Sequence, residues 1–292
     1  MERLRILSNL WNVELDSVDS TSLSSKISKA HRISVLKWLF ESLDLLKVDD
    51  SVFFSTVMLS DRYCSRAPVR RRLEGADLQL VILAGLCCSL KTVDSSIDLS
   101  VKAFLEHVSG GHVESKDIFQ TEARILEALC FNTFSPPLNV YLESFYEVLW
   151  QSTPSGTTPL EQETSRSSLP KVLDEQKQFA LLVLYILVLD IERLHAMCPA
   201  ELISTCILIS AHMVRSDKWD IKTIELGLFE AGWLGTDVDV SSVVMDTASY
   251  IKASMANPSE AVEAVLRIFG SKERLNVAKL SVSAARLVTS GG

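Results

Sequence analysis

LQLVILAGLCCSLKTVD, residues 78–94, is apolar or small nearly all the way to Leu90 and then meets Lys91. A helix that is apolar around most of its circumference has to be enclosed by other elements. The stretch therefore predicts the central helix of an all-α bundle, and the lysine that closes it poses the functional question.

The composition agrees with that class. The chain has 292 residues, 47% hydrophobic and 23% charged, which is long enough for two ordinary domains. With 11 glycines and 8 prolines, long helices are expected and a turn-rich β-protein is not. A net charge of −8 argues against nucleic acid as a partner, because phosphate binding needs a basic footprint. The six cysteines (Cys64, Cys87, Cys88, Cys130, Cys198 and Cys206) form no CxxC pair and read as buried free thiols within apolar helical segments. The longest apolar run, residues 179–189, is shorter than the roughly 20 residues of a membrane span. The N-terminus MERLRILSNLW lacks a secretory apolar core. These features predict a protein of the nucleus and/or cytoplasm with no membrane partner. There is no phosphate-cradling glycine loop, no HExxH and no nucleophile arrangement, so no enzyme and no cofactor are expected. The five histidines, His31, His107, His112, His195 and His212, are scattered and read as surface or satisfied residues rather than ligands.

Outward from the central stretch, helical periodicity predicts a short helix at 2–13 and a Ser-rich polar linker to residue 28. Five helices follow at 29–46, 50–66, 74–92, 98–108 and 115–129. Asp49 or Asp50 caps the second of these, Gly110-Gly111 stops the fourth, and Ser135-Pro136-Pro137 breaks the pattern. Helices resume at 138–150, 174–194, 199–214, 221–234 and 238–254. A further helix is started by Asn257 as N-cap with Pro258 in its first turn and ended by Gly270. Residues 151–170, rich in Ser, Thr and Pro, read as a flexible insertion, and 271–292 as a tail. AELISTCILISAHM mirrors LQLVILAGLCCSLK, which suggests a repeat with one enclosed helix per half. In that register Lys91 falls opposite Met213, so the lysine belongs to one half only.

The residues now support a resemblance. RISVLKWLFESLDLLKVDDSVFFSTVMLSDRYCS resembles the start of a cyclin box, LQLVILAGLCCSLKTVD its central helix and IFQTEARILEALCFN its fifth. Five separated positions that mark the box read Arg32, Asp61, Leu80, Lys91 and Glu122. The resemblance implies an all-α chain of two repeated five-helix cyclin-box domains with an N-terminal helix. The expected domains are 1–28 (N-terminal helix and polar linker), 29–134 (first box), 135–270 (second box, with the insertion 151–170) and 271–292 (tail). It implies a non-catalytic regulatory subunit that binds and activates a cyclin-dependent serine/threonine kinase in cell-cycle control. Lys91 and Glu122 would hydrogen-bond the backbone near the kinase's mobile αC helix, with Leu126 and Phe131 packing on the same element. Thr133 stands where the family often has an aliphatic residue. Arg32 and Asp61 would pair within the domain. From spacing alone, Lys91 is a lysine facing the helix dipole and Glu122 an ordinary surface residue; the five-position match favours the partner-binding reading.

A second expected surface is the dock for RxL-type substrates or inhibitors, at His31, Ser34, Val35, Trp38, Glu41 and Gln79. Trp38, Glu41 and Gln79 fit the pattern. His31 and Ser34 replace apolar walls, which predicts a weakened dock; the other reading of Trp38 is a core aromatic. Arg66, Arg70, Arg71 and Arg72 form a basic cluster that reads as a solvated inter-helix loop. The alternative functions are a cyclin of transcriptional type or a cyclin-fold transcription factor. The latter wants a basic face and usually a zinc ribbon with paired CxxC motifs, and the sequence has neither.

Overall fold

A computed structural model describes residues 18–67, 72–93, 101–133, 136–152, 170–214, 216, 219–234 and 240–278. The expected helix at 2–13, most of the insertion and the end of the tail lie outside them. Among the described residues every regular element is a helix: α1 Ser20–Lys26, α2 Lys29–Leu45, α3 Asp50–Arg66, α4 Gly75–Thr92, α5 Val101–Val108, α6 Ser115–Ala128, α7 Leu138–Ser152, α8 Lys171–Val188, α9 Ile191–Ala196, α10 Pro199–Met213, α11 Ile221–Glu230, α12 Val240–Ala256 and α13 Glu260–Phe269. The β geometry described is an isolated bridge between Ile27 and Leu73.

α1 corrects the sequence reading, which gave that stretch to a polar linker. Asp19 accepts hydrogen bonds from the backbone N–H groups of Thr21 and Ser22 at 3.0 and 3.2 Å. These satisfy two donors that a helix start leaves orphaned. Leu23 is fully buried. One cap and one buried anchor suffice where tertiary packing, rather than propensity, holds a short helix.

The chain divides into two units. One runs through Asn139 and also takes in Val188–Met197; the other holds Val140–Leu187 and the chain from Cys198 onward. In the first unit α4 packs against α2, α3, α5 and α6. By length and composition alone α4 is long and apolar enough to cross a membrane, but most of it is covered by these neighbours. Small residues set the spacing of α3 and α4. A Cβ on Gly85 would stand 2.5 Å from Ser60 Oγ, and Ser89 Oγ lies 3.1 Å from Ser55 Oγ. A side chain at residue 85 would therefore force the Ser60 hydroxyl to move and would press on the Thr56 carbonyl, 3.4 Å away. Asp49 caps α3 by accepting from Ser51 N–H at 2.8 Å. Gly110 and Gly111, at φ of 62° and 74°, follow α5 and end it.

In the second unit α10 is buried along most of its length and packs against α11 and α12. Phe145 meets Tyr146 and Trp233 at ring-centroid distances of 5.7 and 5.9 Å. Tyr146 Oη and Ser210 Oγ share a hydrogen bond of 2.7 Å in the core. The cap of α13 is Ser259, whose side chain accepts from Val262 N–H; Asn257 instead donates its N–H to Ala253. Asn257 thus continues the preceding turn, which leaves Ser259 to start the next helix. Val277 and Ala278 in the expected tail are buried.

The helix expected at 174–194 is two. Asp190 takes an extended conformation (φ −105°, ψ 107°) and its side chain accepts from the N–H groups of Glu192 and Arg193. A short acidic side chain that satisfies the backbone locally competes with helix continuation. The break frees the Val188 carbonyl for a partner outside its own helix. All six cysteines are free thiols. Cys130 and Cys198 are exposed, against the expectation of burial, because both stand just outside the helix they adjoin.

Candidate functional site

Two charge pairs organise the first unit. Lys91 lies in the last turn of α4 and Glu122 in the middle of α6, and the packing of these helices brings them together. Lys91 Nζ donates to both carboxylate oxygens of Glu122, at 2.6 and 2.9 Å. The lysine side chain is 46% exposed and the glutamate 11%. The Lys91 ammonium also stands 5.6 Å from the centroid of the Phe119 ring. Burial acts to lower the Lys91 pKa, but the hydrogen bond it donates to Glu122 together with the neighbouring Cys87 and the Glu122 charge outweighs it, and the net shift is upward. Burial first, then the Glu122 charge, pushes the Cys87 and Cys88 thiols up to about 11 and about 12. Neither is a thiolate at neutral pH, so neither is an activated nucleophile.

Leu126, one turn beyond Glu122, is half-buried, and Phe131 is 71% exposed. Cys130 and Phe131 occupy the left-handed region at φ of 50° and 60°, which two successive non-glycine residues adopt only when held there. Phe131 N–H donates to the Leu126 carbonyl at 2.7 Å. Buried Arg62 of α3 donates through Nη2 to the Asn132 carbonyl at 3.1 Å. Leu129, fully buried, anchors the start of the turn. Thr133 is half-buried beside it.

The second pair is internal. Arg32 Nη2 donates to Asp61 Oδ2 at 2.8 Å and Arg32 Nε to Oδ1 at 3.4 Å. Arg32 Nη1 donates to the Val188 carbonyl at 2.6 Å, and His195 Nε2 lies 3.1 Å from Asp61 Oδ2. All three side chains are nearly inaccessible. Burial acts to raise the Asp61 pKa, but Arg32 and His195 more than offset it and hold the carboxyl below its ordinary value. Leu80, the remaining box position, is half-buried.

The expected dock falls on one face of α2 and the start of α4. Val35 is buried, His31, Trp38, Glu41 and Gln79 are half-buried, and Ser34 is exposed. His31 Nδ1 is buried with no hydrogen-bond partner among the described residues. Of the basic cluster, Arg66 and Arg72 are exposed. Arg72 donates to the Ile27 carbonyl at 3.0 Å, while Arg70 and Arg71 lie outside the described residues.

Four contributors escaped the sequence reading. Phe119 was within reach of it, since a residue three before Glu122 shares its helix face. Arg62, the Val188 carbonyl and His195 were not, because their contacts span about 70, 156 and 134 residues of chain. Among the described residues no group of three or more His, Cys, Asp and Glu side chains is placed to hold a metal ion.

Comparison with known proteins agrees with this architecture. Residues 5–133 match the family described as cyclin, N-terminal domain. The G1/S-specific cyclin CLN2 of Candida albicans is 26% identical over 150 residues, covering 50% of this chain and 31% of that protein. The G1/S-specific cyclin CLN3 of the same organism is 25% identical over 150 residues, again 31% of its length. The match thus spans under a third of either relative. A viral cyclin from herpesvirus saimiri has the same fold, with a TM-score of 0.57 and 18% identity over 84% of this chain and 96% of that one.

Proposed function

We propose, from the premise that the chain is a member of the cyclin family, that it binds a cyclin-dependent serine/threonine kinase and activates it in cell-cycle control. The family is regulatory, and G1/S cyclins are among the relatives. One observation carries the finer reading: the Lys91–Glu122 pair, with its lysine half-exposed, stands near the end of α4, with half-buried Leu126 on the same helix as Glu122 and exposed Phe131 just beyond it. A donor and an acceptor among apolar side chains suit a protein helix whose end presents unpaired backbone groups.

The mechanism follows from kinase chemistry. An active kinase pairs a glutamate on its αC helix with the strand lysine that holds the ATP phosphates. A subunit that binds the swung-in αC better than the swung-out one shifts the equilibrium by that difference in affinity. Moving the population from about 1:99 to 99:1 requires roughly 5.5 kcal/mol of preference. Apolar burial at Leu126 and Phe131 together with a charged anchor is the kind of interface that supplies it.

The test is titration of purified cyclin-dependent kinases with this chain, reading affinity and phosphotransfer, beside a Lys91→Ala/Glu122→Ala variant whose folding is verified by thermal melting. Activation by the wild type alone is the expected result. Failure to activate any of them, or equal activation by the variant, overturns the proposal. The α2 face around Trp38 is proposed as a weak RxL dock, since polar His31 and Ser34 stand where leucine burial would want apolar walls. Tight RxL-peptide binding that survives Trp38→Ala would remove it. The proposed location is the nucleus and/or cytoplasm, testable by imaging the tagged chain.

A further inference from the structure

We infer that Arg62 is a positioning residue for Phe131: it holds the turn after α6 in its left-handed form, so that a kinase meets an aromatic side chain already in place. The inference rests on the kinase-binding reading above and names what prepares that site. Phe131 is 71% exposed, so its own packing does little to fix it and the backbone that carries it sets its direction. That backbone follows the Schellman pattern of a helix end. Phe131 N–H donates to the Leu126 carbonyl at 2.7 Å and Cys130 N–H to the Glu127 carbonyl at 3.0 Å. The residue that turns left-handed in this motif is usually glycine. Here Cys130 and Phe131 both take that conformation, at φ of 50° and 60°, which their side chains oppose. The local hydrogen bonds work against a backbone preference, and a hold from outside the turn tips the balance.

Arg62 supplies that hold. It lies on α3, which packs against α6, and is 2% exposed. Its Nη2 donates to the carbonyl of Asn132, the residue after Phe131, at 3.1 Å. A guanidinium bond to a carbonyl is charge-assisted, and the planar fork keeps its direction. Asn132 N–H donates to the carbonyl of fully buried Leu129 at 2.9 Å. Asn132 is thus tied at both of its peptide groups, once to the end of α6 and once to α3, although it is itself exposed. Adjacent residues of α3 divide two tasks: Asp61 holds Arg32 inside the fold, and Arg62 holds the turn at its surface. A turn ordered before the partner arrives spares the association the cost of ordering it.

The experiment uses the full chain and two readouts. In the free protein, amide exchange is followed residue by residue. Arg62→Met removes the donors without leaving a buried charge. It should speed exchange at Phe131 and Asn132 about tenfold, the weight of a charge-assisted bond at its lower end, beyond any change at fully buried Leu83 of α4, which reports opening of the core. An equal change at all three overturns the inference, because Arg62 would then serve the fold alone. Cys130→Gly added to Arg62→Met relieves the left-handed cost and should return protection to both amides; no return overturns the inference as well. In kinase titrations, Arg62→Met should weaken binding about two- to tenfold, the equivalent of ordering one more side chain on association, and have no effect in a Phe131→Ala background. Equal losses in both backgrounds overturn the inference, because Arg62 would then act other than through Phe131. Should thermal melting show Arg62→Met unfolded, Arg62→Lys carries the same comparisons. Faster local exchange with no kinase bound by the wild type upholds the hold on the turn and overturns the kinase reading instead.

Discussion

The two ion pairs of the first unit are built from the same kinds of group and sit in opposite surroundings. Arg32–Asp61 has side chains 3% and 4% exposed, with the Val188 carbonyl and His195 completing its hydrogen bonds. Lys91–Glu122 has a side chain 46% exposed on one partner and 11% on the other. A charge with no access to water depends on its partner for solvation, so the inner pair answers to folding. A charge half in water exchanges partners at small cost, and in the outer pair that describes the lysine. Burial, rather than charge type, is what distinguishes the two pairs, and it is the ground for proposing the outer one as a site.

Removing one half of the inner pair is the sharpest way to break the comparison. Asp61→Ala leaves the Arg32 guanidinium buried and unpaired and should cost roughly 3–5 kcal/mol of stability, read by urea denaturation. Lys91→Ala should do the reverse. Its stability cost should be about 0–1 kcal/mol, while kinase affinity falls by roughly 2–5 kcal/mol; a comparable loss of stability would erase the distinction. His195→Ala removes one hydrogen bond to Asp61 and should cost about 1–3 kcal/mol, with kinase affinity unaltered once folded protein is compared.

Titration separates the pairs at opposite ends of the pH scale. The folded Asp61 carboxyl titrates below its ordinary value of about 3.9. Its contribution is therefore complete above that value and lost as pH falls through the lower folded one. The Lys91 ammonium titrates above its ordinary value of about 10.4. Its smaller contribution is present below that value and lost as pH rises through the higher folded one. Asp61→Asn should flatten the acid limb of the stability curve and Lys91→Met the alkaline limb. A swap of these effects would contradict the assignment.

Most of the fold was legible from particular residues. The enclosure of α4 followed from an apolar stretch with no polar face, and α3 from periodicity and a capping aspartate. Local signals misled where two of them competed. Asn257 and Ser259 both suit a helix start, and Asp190 both continues a helical pattern and offers a cap; in each case the local hydrogen bonds that formed, Asn257 N–H to Ala253 and Asp190 from Glu192 and Arg193, fixed the role. The site was legible in part. The resemblance picked out Lys91, Glu122, Arg32 and Asp61, but the sequence carries no mark of how deeply each is buried.

Alone, the sequence determined the helical class, the enclosed central helix and the identity of the charged side chains, because periodicity and composition act over a few turns of chain. The tertiary structure decided which charges meet, how much water each retains, and that Val188 and His195 join a pair some 130 to 160 residues away. Those are properties of packing between distant segments. Electrostatic strength depends on the surroundings as much as on the charges, and it is packing that supplies the surroundings.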